Sequence, residues 1–411
     1  MIALFFSTKY WPDSREIEQA VASVEKALSQ KVVTVVDGDL SVLPSPGEFL
    51  VVVPCSGSVQ PDILTACHGF SRVALFASYV EGNFDLSLTD RFLSRNAGPT
   101  LMDVYAVLKR TRAVRLLKTT GALQTYLQAE DAASRIRNAR IALVEKPEPW
   151  VISVPRDFSL YQKRLGVDIL SIPHDELLGR YRGVTHRDAQ KIYAYFKEGA
   201  TEICEPTDPD IQNASRMAVA MLQLLADYHC DGMAVACFDL IKRAGINPCL
   251  GVSYINGETP YFAACEGDVD SAVTMLFLRA LSCPAPWMAN PSLQPDDSVN
   301  FAHCTAPICG NPFRLRNHHE TGIGASPQVE YSVGLPLTLC RYGGQEHALT
   351  LQRGRSIPGR YEPNCRTQLR VQLENPTHYL NTVLGCHQVL TFDDNLPLIT
   401  ELASILGIPV I

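Results

Sequence analysis

Short apolar runs alternate with amphipathic segments along residues 1–140. The runs IALFFS, KVVTVVDG, EFLVVVPCSG and RVALFASY have strand character, while REIEQAVASVEKALSQ and residues 100–140 have helical character. Strands separated by helices predict a parallel sheet that is covered on both faces. Ligands bind at the carboxyl ends of such strands, so the loops beginning at Ser56 and Tyr79 are candidate ligand loops. Neither loop carries a glycine-rich nucleotide motif.

The same alternation of strand and helix returns from residue 141. RIALVEKP, WVISVP and VDILSIP have strand character around the helical SLYQKRLG, and a long helix is predicted from Pro209 to Tyr228. DGMAVACFDLI, PCLGVSYING and PYFAACEGD follow, before the helical DSAVTMLFLRAL. This pattern predicts a second α/β domain over residues 141–310.

From residue 311 the pattern changes to alternating apolar and polar positions between turns. QVEYSVGLPLTLCRY, HALTLQRGRSI and RTQLRVQLE predict antiparallel strands in a small barrel or sandwich. The tail NLPLITELASILGIPVI predicts a helix and a short strand. The expected fold class is therefore α/β: two α/β domains, 1–140 and 141–310, precede a β-rich domain, 311–411.

Composition narrows the class of protein. Hydrophobic residues make up 46% and charged residues 19% of the 411-residue chain, which is typical of a globular protein. The net charge of −7 argues against broad binding of nucleic acid. No run approaches the roughly 18 apolar residues of a membrane span, and MIALFFSTKYWPDS is a poor signal peptide. Thirteen scattered cysteines without a CxxC pair predict reduced thiols in the cytoplasm.

Two segments carry candidate chemistry near predicted strands. In AACEGDVDSAV, Glu266 follows a strand, and Asp268 or Asp270 is placed to cap the next helix. Glu266 is either an active-site carboxylate or part of an acidic cluster that complements the helix N-terminus. In GCHQVL, His387 is either a site residue or a packed histidine of the core.

Two further segments combine histidine with other reactive side chains. FRLRNHHETGIG is either a solvated loop or a site, and it contains Arg314, Arg316, His318, His319 and Glu320. FAHCTAP places His303 beside Cys304, a pair that a cysteine nucleophile needs, although no wider motif supports that function.

Together these segments resemble the L-fucose isomerase family. ACEGDVDSAVTMLFLRAL is similar to the strand–helix segment that bears the metal-binding glutamate of that family, and GCHQVLTFDDNLPLITELASILGIPV is similar to its C-terminal ligand histidine and following helix. A second acidic ligand follows about two dozen residues after the glutamate in that family, and 290 − 266 = 24 puts Asn290 at that position. PCLGVSY, AHCTAP and RLRNHHETG are similar to segments of shorter relatives. The resemblance covers most of residues 140–411.

The resemblance implies a metal-dependent aldose–ketose isomerase that uses Mn²⁺, for which Mg²⁺ or Co²⁺ can substitute. The resemblance implies that Glu266 is both a metal ligand and the proton shuttle. It also implies that Asn290 and His387 are further ligands. Asparagine cannot accept a proton, so the second acid or base is expected at Asp239 or Glu320. The weaker expectations for substrate contacts are His303, Arg316, His319 and Glu320. The family also implies that the two α/β domains are Rossmann-like or flavodoxin-like. It further implies a homo-oligomer, from dimer to hexamer, with shared active sites.

The identity of the sugar stays open at this point. A deoxy sugar such as L-fucose fits the family, and sulfoquinovose, a 6-sulfo sugar, would suit the arginines and histidines of FRLRNHHE. Two other classes of function also stay open: a non-catalytic sugar-binding or sensory protein, and a cysteine-dependent hydrolase that uses Cys304 and His303.

Overall fold

The computed structural model describes residues 2–7, 15, 18, 21–22, 25–26, 30–43, 49–54, 57–76, 97–117 and 120–411. It divides into two compact units, Met1–Leu127 and Gln128–Ile411. The two loops predicted to bind ligand after Ser56 and Tyr79 begin outside the described residues.

The first unit contains a five-stranded parallel sheet in the order β2-β1-β3-β4-β5. Its strands and helices are β1 (Ile2–Ser7), β2 (Val33–Val36), β3 (Phe49–Pro54), α1 (Gln60–Cys67), β4 (Arg72–Phe76), α2 (Ala97–Leu108), β5 (Ala113–Leu117) and α3 (Thr120–Ile136), the last of which continues past residue 127. The four predicted strands are confirmed. The prediction of continuous helix over residues 100–140 is wrong, because β5 interrupts it.

The second unit opens with a four-stranded parallel sheet in the order β10-β9-β6-β7. Its elements are β6 (Arg140–Val144), α4 (Ser159–Leu165), β7 (Asp168–Ile172), α5 (His174–Gly183), α6 (Gln190–Gly199), β8 (Glu202–Ile203), α7 (Asp208–Asp227), β9 (Gly232–Val235), α8 (Cys237–Ala244), α9 (Cys249–Glu258), β10 (Phe262–Ala264) and α10 (Val269–Ala280). WVISVP forms a loop instead of the predicted strand. Ile141 and Leu143 pack in one core and Ala142 and Val144 in another, so both faces of the sheet are covered.

The antiparallel region is a closed six-stranded barrel in the order β11-β12-β17-β16-β15-β18. Its strands are β11 (Trp287–Leu293), β12 (Val299–His303), β15 (Pro336–Gly343), β16 (Ala348–Ile357), β17 (Thr367–Leu373) and β18 (Gln388–Phe392). The barrel therefore includes two strands that precede residue 311. The helices α11 (Pro376–Asn381) and α12 (Leu396–Leu406) flank β18 in sequence.

Two smaller features complete the second unit. β13 (Phe313–Arg316) and β14 (Ser326–Val329) join β8 in a three-stranded sheet. α10 is buried along its whole length except at Arg279, as expected for a helix that is enclosed on every side. Within the described residues, no helix combines the length and apolar character needed to cross a membrane.

Candidate metal centre

The carboxyl ends of the second sheet gather several acidic side chains and one histidine at a single edge. Glu148 follows β6, His174 follows β7, Asp239 follows β9 and Glu266 follows β10. Ligands of parallel α/β sheets bind at this edge.

The backbone at Glu266 and Gly267 is unusual. Their φ angles of 56° and 65° lie in the left-handed region, which costs a residue with a side chain about 1 kcal/mol or more. Backbone hydrogen bonds hold the turn: the Glu148 N–H donates to the Glu266 carbonyl at 3.0 Å, and the Gly267 N–H donates to the Val235 carbonyl at 2.9 Å. The turn ends at Asp268, whose side chain caps α10 by accepting a hydrogen bond from the Ser271 N–H at 2.8 Å. Of the two predicted capping residues, Asp268 and Asp270, the structure therefore confirms Asp268.

Two histidines reach Glu266 from one rim of the barrel. His303 is the last residue of β12, and His387 immediately precedes β18. β11 lies between these two strands, where Asn290 pairs with Ala302 and Ala289 pairs with Gln388. The closure of the barrel therefore brings together two histidines that are 84 residues apart (387 − 303 = 84).

Glu266, His303 and His387 form a buried cluster of metal-ligand atoms that all lie within 4.8 Å of one another. Glu266 Oε1 is 3.6 Å from His303 Nε2 and 3.5 Å from His387 Nε2. The two imidazole rings meet edge to face, with centroids 5.7 Å apart. The side chain of each histidine is at most 5% exposed.

Outer partners fix the orientation of both imidazoles. His303 Nδ1 lies 2.8 Å from Thr305 Oγ1, and His387 Nδ1 lies 2.7 Å from Asp268 Oδ2. When each Nδ1 carries the proton and donates it to these oxygens, the lone pair of each Nε2 points at Glu266 Oε1. Carboxylate or hydroxyl partners of this kind are typical of metal-binding histidines.

Burial and neighbouring charges act in opposite directions on the pKa values of the cluster. Burial alone would raise the pKa of the Glu266 carboxyl, but the two adjacent imidazoles hold that pKa well below its usual range. Burial alone would lower the pKa of His387, but Asp268 and Glu266 raise it well above its ordinary value. Burial favours the neutral form of Asp268, whereas Arg341 and His387 lower the pKa of that carboxyl.

The three side chains fit a divalent cation. His303 Nε2 is buried and has no hydrogen-bond partner among the described residues, so it is available as a ligand. Two donor atoms about 2.1 Å from an ion lie about 3.4 Å apart at a tetrahedral angle, close to the observed separations. One carboxylate and two imidazoles suit several divalent ions of the first transition row.

An aromatic series lies beside the cluster, and the sequence analysis missed it. Trp150 Nε1 donates to Glu266 Oε2 at 2.7 Å, and the indole meets Phe238 edge-on with centroids 4.9 Å apart. Phe238 in turn packs edge-on against His318 at 5.4 Å. The indole stays 51% exposed. In the sequence, Trp150 is the first residue of WVISVP, which was predicted to be a strand, so nothing there indicated a contact with Glu266.

Two further acidic side chains lie at the same edge. Asp239 Oδ2 is 3.1 Å from His174 Nδ1, and its side chain is 48% exposed. Glu148 Oε1 accepts from the Phe238 and Asp239 N–H groups at the start of α8. Burial raises the pKa of Glu148, and the nearby charges of Glu266 and Asp239 raise it further. Glu148 was not among the predicted site residues.

The remaining predicted site residues differ in their surroundings. Asn290 lies on the strand between the two histidines, and its role as a ligand stays a prediction. Arg316 Nε and Nη2 donate to Glu205, and Nη1 donates to Gln328, so a substrate anion would have to displace these partners. Of the two adjacent histidines, His318 rather than His319 packs against the aromatic series. Glu320 is exposed in a turn, and its role likewise stays a prediction.

Cys304 is buried, and it forms no nucleophile–base pair with His303. A hydrogen bond with Cys365 lowers the pKa of the Cys304 thiol to about 6 despite burial, and backbone N–H groups and His303 contribute. The ring nitrogens of His303 face Thr305 and Glu266 instead of the thiol. This arrangement does not support the hydrolase alternative.

Compared with known proteins, the chain matches no protein-family model and no curated protein.

Proposed function

We propose that this protein is a metal-dependent aldose–ketose isomerase. The observation that carries the proposal is the cluster of Glu266, His303 and His387, in which an unpartnered Nε2 and an oriented Nε2 face one carboxylate oxygen. Its position at the carboxyl ends of parallel strands and the resemblance to L-fucose isomerases add support. The same resemblance leads us to propose a homo-oligomer with shared active sites.

The proposed reaction moves one proton between C2 and C1 of the sugar through a cis-enediol, while the hydroxyl proton moves from O2 to O1. A bound Mn²⁺, or Mg²⁺ or Co²⁺, would supply Lewis-acid stabilisation of the charge that develops on these oxygens. Glu266, His303 and His387 would hold the ion, with Asn290 as a further candidate.

Proton transfer falls to the carboxylates of the sheet edge. The resemblance implies that Glu266 is both ligand and base. In the structure, however, its Oε2 accepts a hydrogen bond from Trp150, and its Oε1 faces the two imidazoles. Asp239 is half exposed and held by His174, which suits a group that must meet substrate. Glu148 is a second carboxylate beside it.

An uncharged sugar fits the surroundings better than a sulfo sugar. Carboxylates dominate the sheet edge, and the Arg316 guanidinium is already paired with Glu205. The half-exposed indole of Trp150 offers an apolar face to the C–H side of a sugar ring. We therefore propose a neutral hexose or deoxyhexose as the substrate.

The test is an NMR screen of 6-hydroxy, 6-deoxy and 6-sulfo aldoses with protein that has been depleted of metal and then reloaded with Mn²⁺. Turnover should require the ion. Glu266→Gln removes the charged ligand and should lower turnover by about 10²-fold or more. Glu374→Gln, at an exposed position, is the matched control and should leave turnover unchanged. Sugar binding without turnover or bound metal would favour the non-catalytic alternative.

A further inference from the structure

The two oxygens of the Glu266 carboxylate have different partners. Oε1 faces His303 Nε2 at 3.6 Å and His387 Nε2 at 3.5 Å. Oε2 accepts the indole N–H of Trp150 at 2.7 Å. The carboxylate therefore presents one oxygen to the histidines and the other to the tryptophan.

We propose that Trp150 is a positioning residue that makes Glu266 a one-oxygen ligand of the bound cation. A carboxylate can bind a cation through one oxygen or through both. A hydrogen bond from a neutral donor to a charged oxygen is stronger than one between neutral groups, and here it keeps Oε2 turned away from the histidines. This inference rests on the metal site of the proposed function, and it does not require isomerase chemistry.

The loop that carries Trp150 is tied to the backbone of its partner. The Glu148 N–H donates to the Glu266 carbonyl at 3.0 Å, and the Val151 N–H donates to the Glu148 carbonyl at 3.0 Å. Phe238 packs edge-on against the indole at 4.9 Å and limits its rotation. The indole N–H is thus held in a fixed place relative to the carboxylate.

Trp150 is too exposed to be a residue of the hydrophobic core, which favours its role in positioning Glu266. Trp150 is 51% exposed and Ile152, two residues later, is 84% exposed. Trp150→Phe, which keeps a ring to pack against Phe238, therefore removes less buried apolar surface than the same change in the core would. The engaged part of the side chain is its N–H, so substitution should affect the metal site more than the fold.

One-oxygen ligation has a consequence for substrate binding. A carboxylate that binds through both oxygens fills two coordination positions, whereas one that binds through a single oxygen leaves a position open. Catalytic metal sites keep such a position for water or substrate. Trp150 would thereby hold open a place for a sugar oxygen.

The experiment uses the full chain, stripped of metal by chelation and titrated with Co²⁺ and Mn²⁺ in the absence of sugar. Trp150→Phe keeps an aromatic ring and removes the N–H donor. Trp287 provides the control, because its indole N–H has no hydrogen-bond partner among the described residues. Trp287 is fully buried, so it is replaced by benzothienylalanine, which removes the N–H and keeps the shape of the ring. Replacement of Trp150 by benzothienylalanine removes only the N–H and serves if the phenylalanine variant fails to fold.

We expect Trp150→Phe to bind Mn²⁺ about tenfold more weakly, as is typical when an outer partner of a ligand is lost. The visible absorption of bound Co²⁺ should weaken, because the second oxygen enters the coordination shell. Benzothienylalanine at Trp287 should match the wild type in both measurements. Wild-type affinity and spectrum in both Trp150 variants would overturn the inference.

Two outcomes separate this inference from the proposed function. A wild type that binds neither ion refutes the metal site and this inference together. A wild type that binds both ions but isomerises no sugar refutes the isomerase alone, and the binding data still decide the role of Trp150.

Discussion

Asp268 is fully buried, and its two carboxylate oxygens serve three groups. Oδ1 accepts from the Ser271 N–H at the start of α10, and Oδ2 accepts from His387 Nδ1 at 2.7 Å and from Arg341 Nη1 at 3.0 Å. One side chain therefore caps a helix, orients a metal-ligand candidate and neutralises a buried arginine.

Replacement of Asp268 by asparagine should damage both stability and metal affinity. The cap can survive, but Arg341 loses its closest counter-charge, which for a buried pair costs about 3 kcal/mol or more. Mn²⁺ affinity should fall by about 10- to 100-fold as His387 loses its acceptor. Urea unfolding and calorimetric titration measure the two effects.

The control is Asp296→Asn, which breaks an exposed pair with Arg370. An exposed pair contributes at most about 1 kcal/mol. Equal losses in the two variants would contradict the role assigned to Asp268.

His318 should make the stability of the metal-free protein depend on pH. Burial, together with the charge of His303, lowers the pKa of His318 from 6.5 to about 4. Between pH 4 and 6.5 the unfolded chain binds more protons at this histidine than the folded chain does. The contribution of neutral His318 to the free energy of unfolding is therefore fully present above pH 6.5 and is lost as the pH falls toward 4. The slope is at most about 1.4 kcal/mol per pH unit.

The test compares urea unfolding of the wild type and His318→Gln from pH 4.5 to 7. Their difference in unfolding free energy should grow as the pH rises. His378→Gln, which alters an exposed histidine, should stay parallel to the wild type. Parallel curves for all three proteins would rule out the effect.

At the residue scale, the sequence singles out candidate site residues where a local segment carries the information, and their roles stay predictions. Glu266 stands in a strand–turn–helix segment, and His387 precedes a distinctive helix, so both could be singled out from the sequence. The proximity of His303 to both depends on barrel closure, which no local pattern reveals. The contact of Trp150 with Glu266 joins residues 116 positions apart, and the intervening fold decides it.

At the scale of elements, the turn after β10 is the most constrained segment of the site. Gly267 has a φ of +65°, and a Cβ placed there would lie 2.7 Å from Pro147 Cα. The backbone must therefore bend in the left-handed region while another loop packs directly against it. Only glycine meets both requirements.

Gly267→Ala should disturb the metal centre, and Gly245→Ala provides a matched control. Gly245 has a similar φ of +67°, but a Cβ there would meet nothing within 4 Å. Gly245→Ala should lower the free energy of unfolding by about 1 kcal/mol, through backbone strain alone. Gly267→Ala should lower the free energy of unfolding by about 1–3 kcal/mol more, because the added Cβ overpacks the turn. Of the two variants, Gly267→Ala alone should weaken Mn²⁺ binding. Similar Mn²⁺ affinities in the two variants would contradict this expectation.

Strands with a dense apolar pattern could be predicted from the sequence, and weaker ones could not. RVALF and RIALV form strands as expected. AVRLL lies within residues 100–140, for which the sequence predicts helix, yet its pairing with β4 makes it β5. WVISVP has strand composition but forms the loop that carries Trp150, since its backbone bonds fold it back toward Glu148 and Glu266.

At the scale of the second unit, the candidate ligands join two different layers. Glu266 belongs to the parallel sheet, whereas His303 and His387 belong to the barrel. α10 lies between these layers, and its core residues contact both. A bound ion would therefore connect the sheet to the barrel at the edge where α10 begins.

This arrangement has a consequence for the lifetime of the folded protein. Glu266 and His387 are 121 positions apart (387 − 266 = 121), so the ligand set is complete only after the sheet has formed and the barrel has closed. An interaction that is absent from the folding transition state slows unfolding and leaves the folding rate unchanged. At about 100 times its dissociation constant, Mn²⁺ should slow unfolding by about 100-fold. Stopped-flow refolding should be indifferent to the ion, and faster refolding with Mn²⁺ would show that the site forms early. The ion would then determine how long the native state persists, rather than how quickly the chain reaches it.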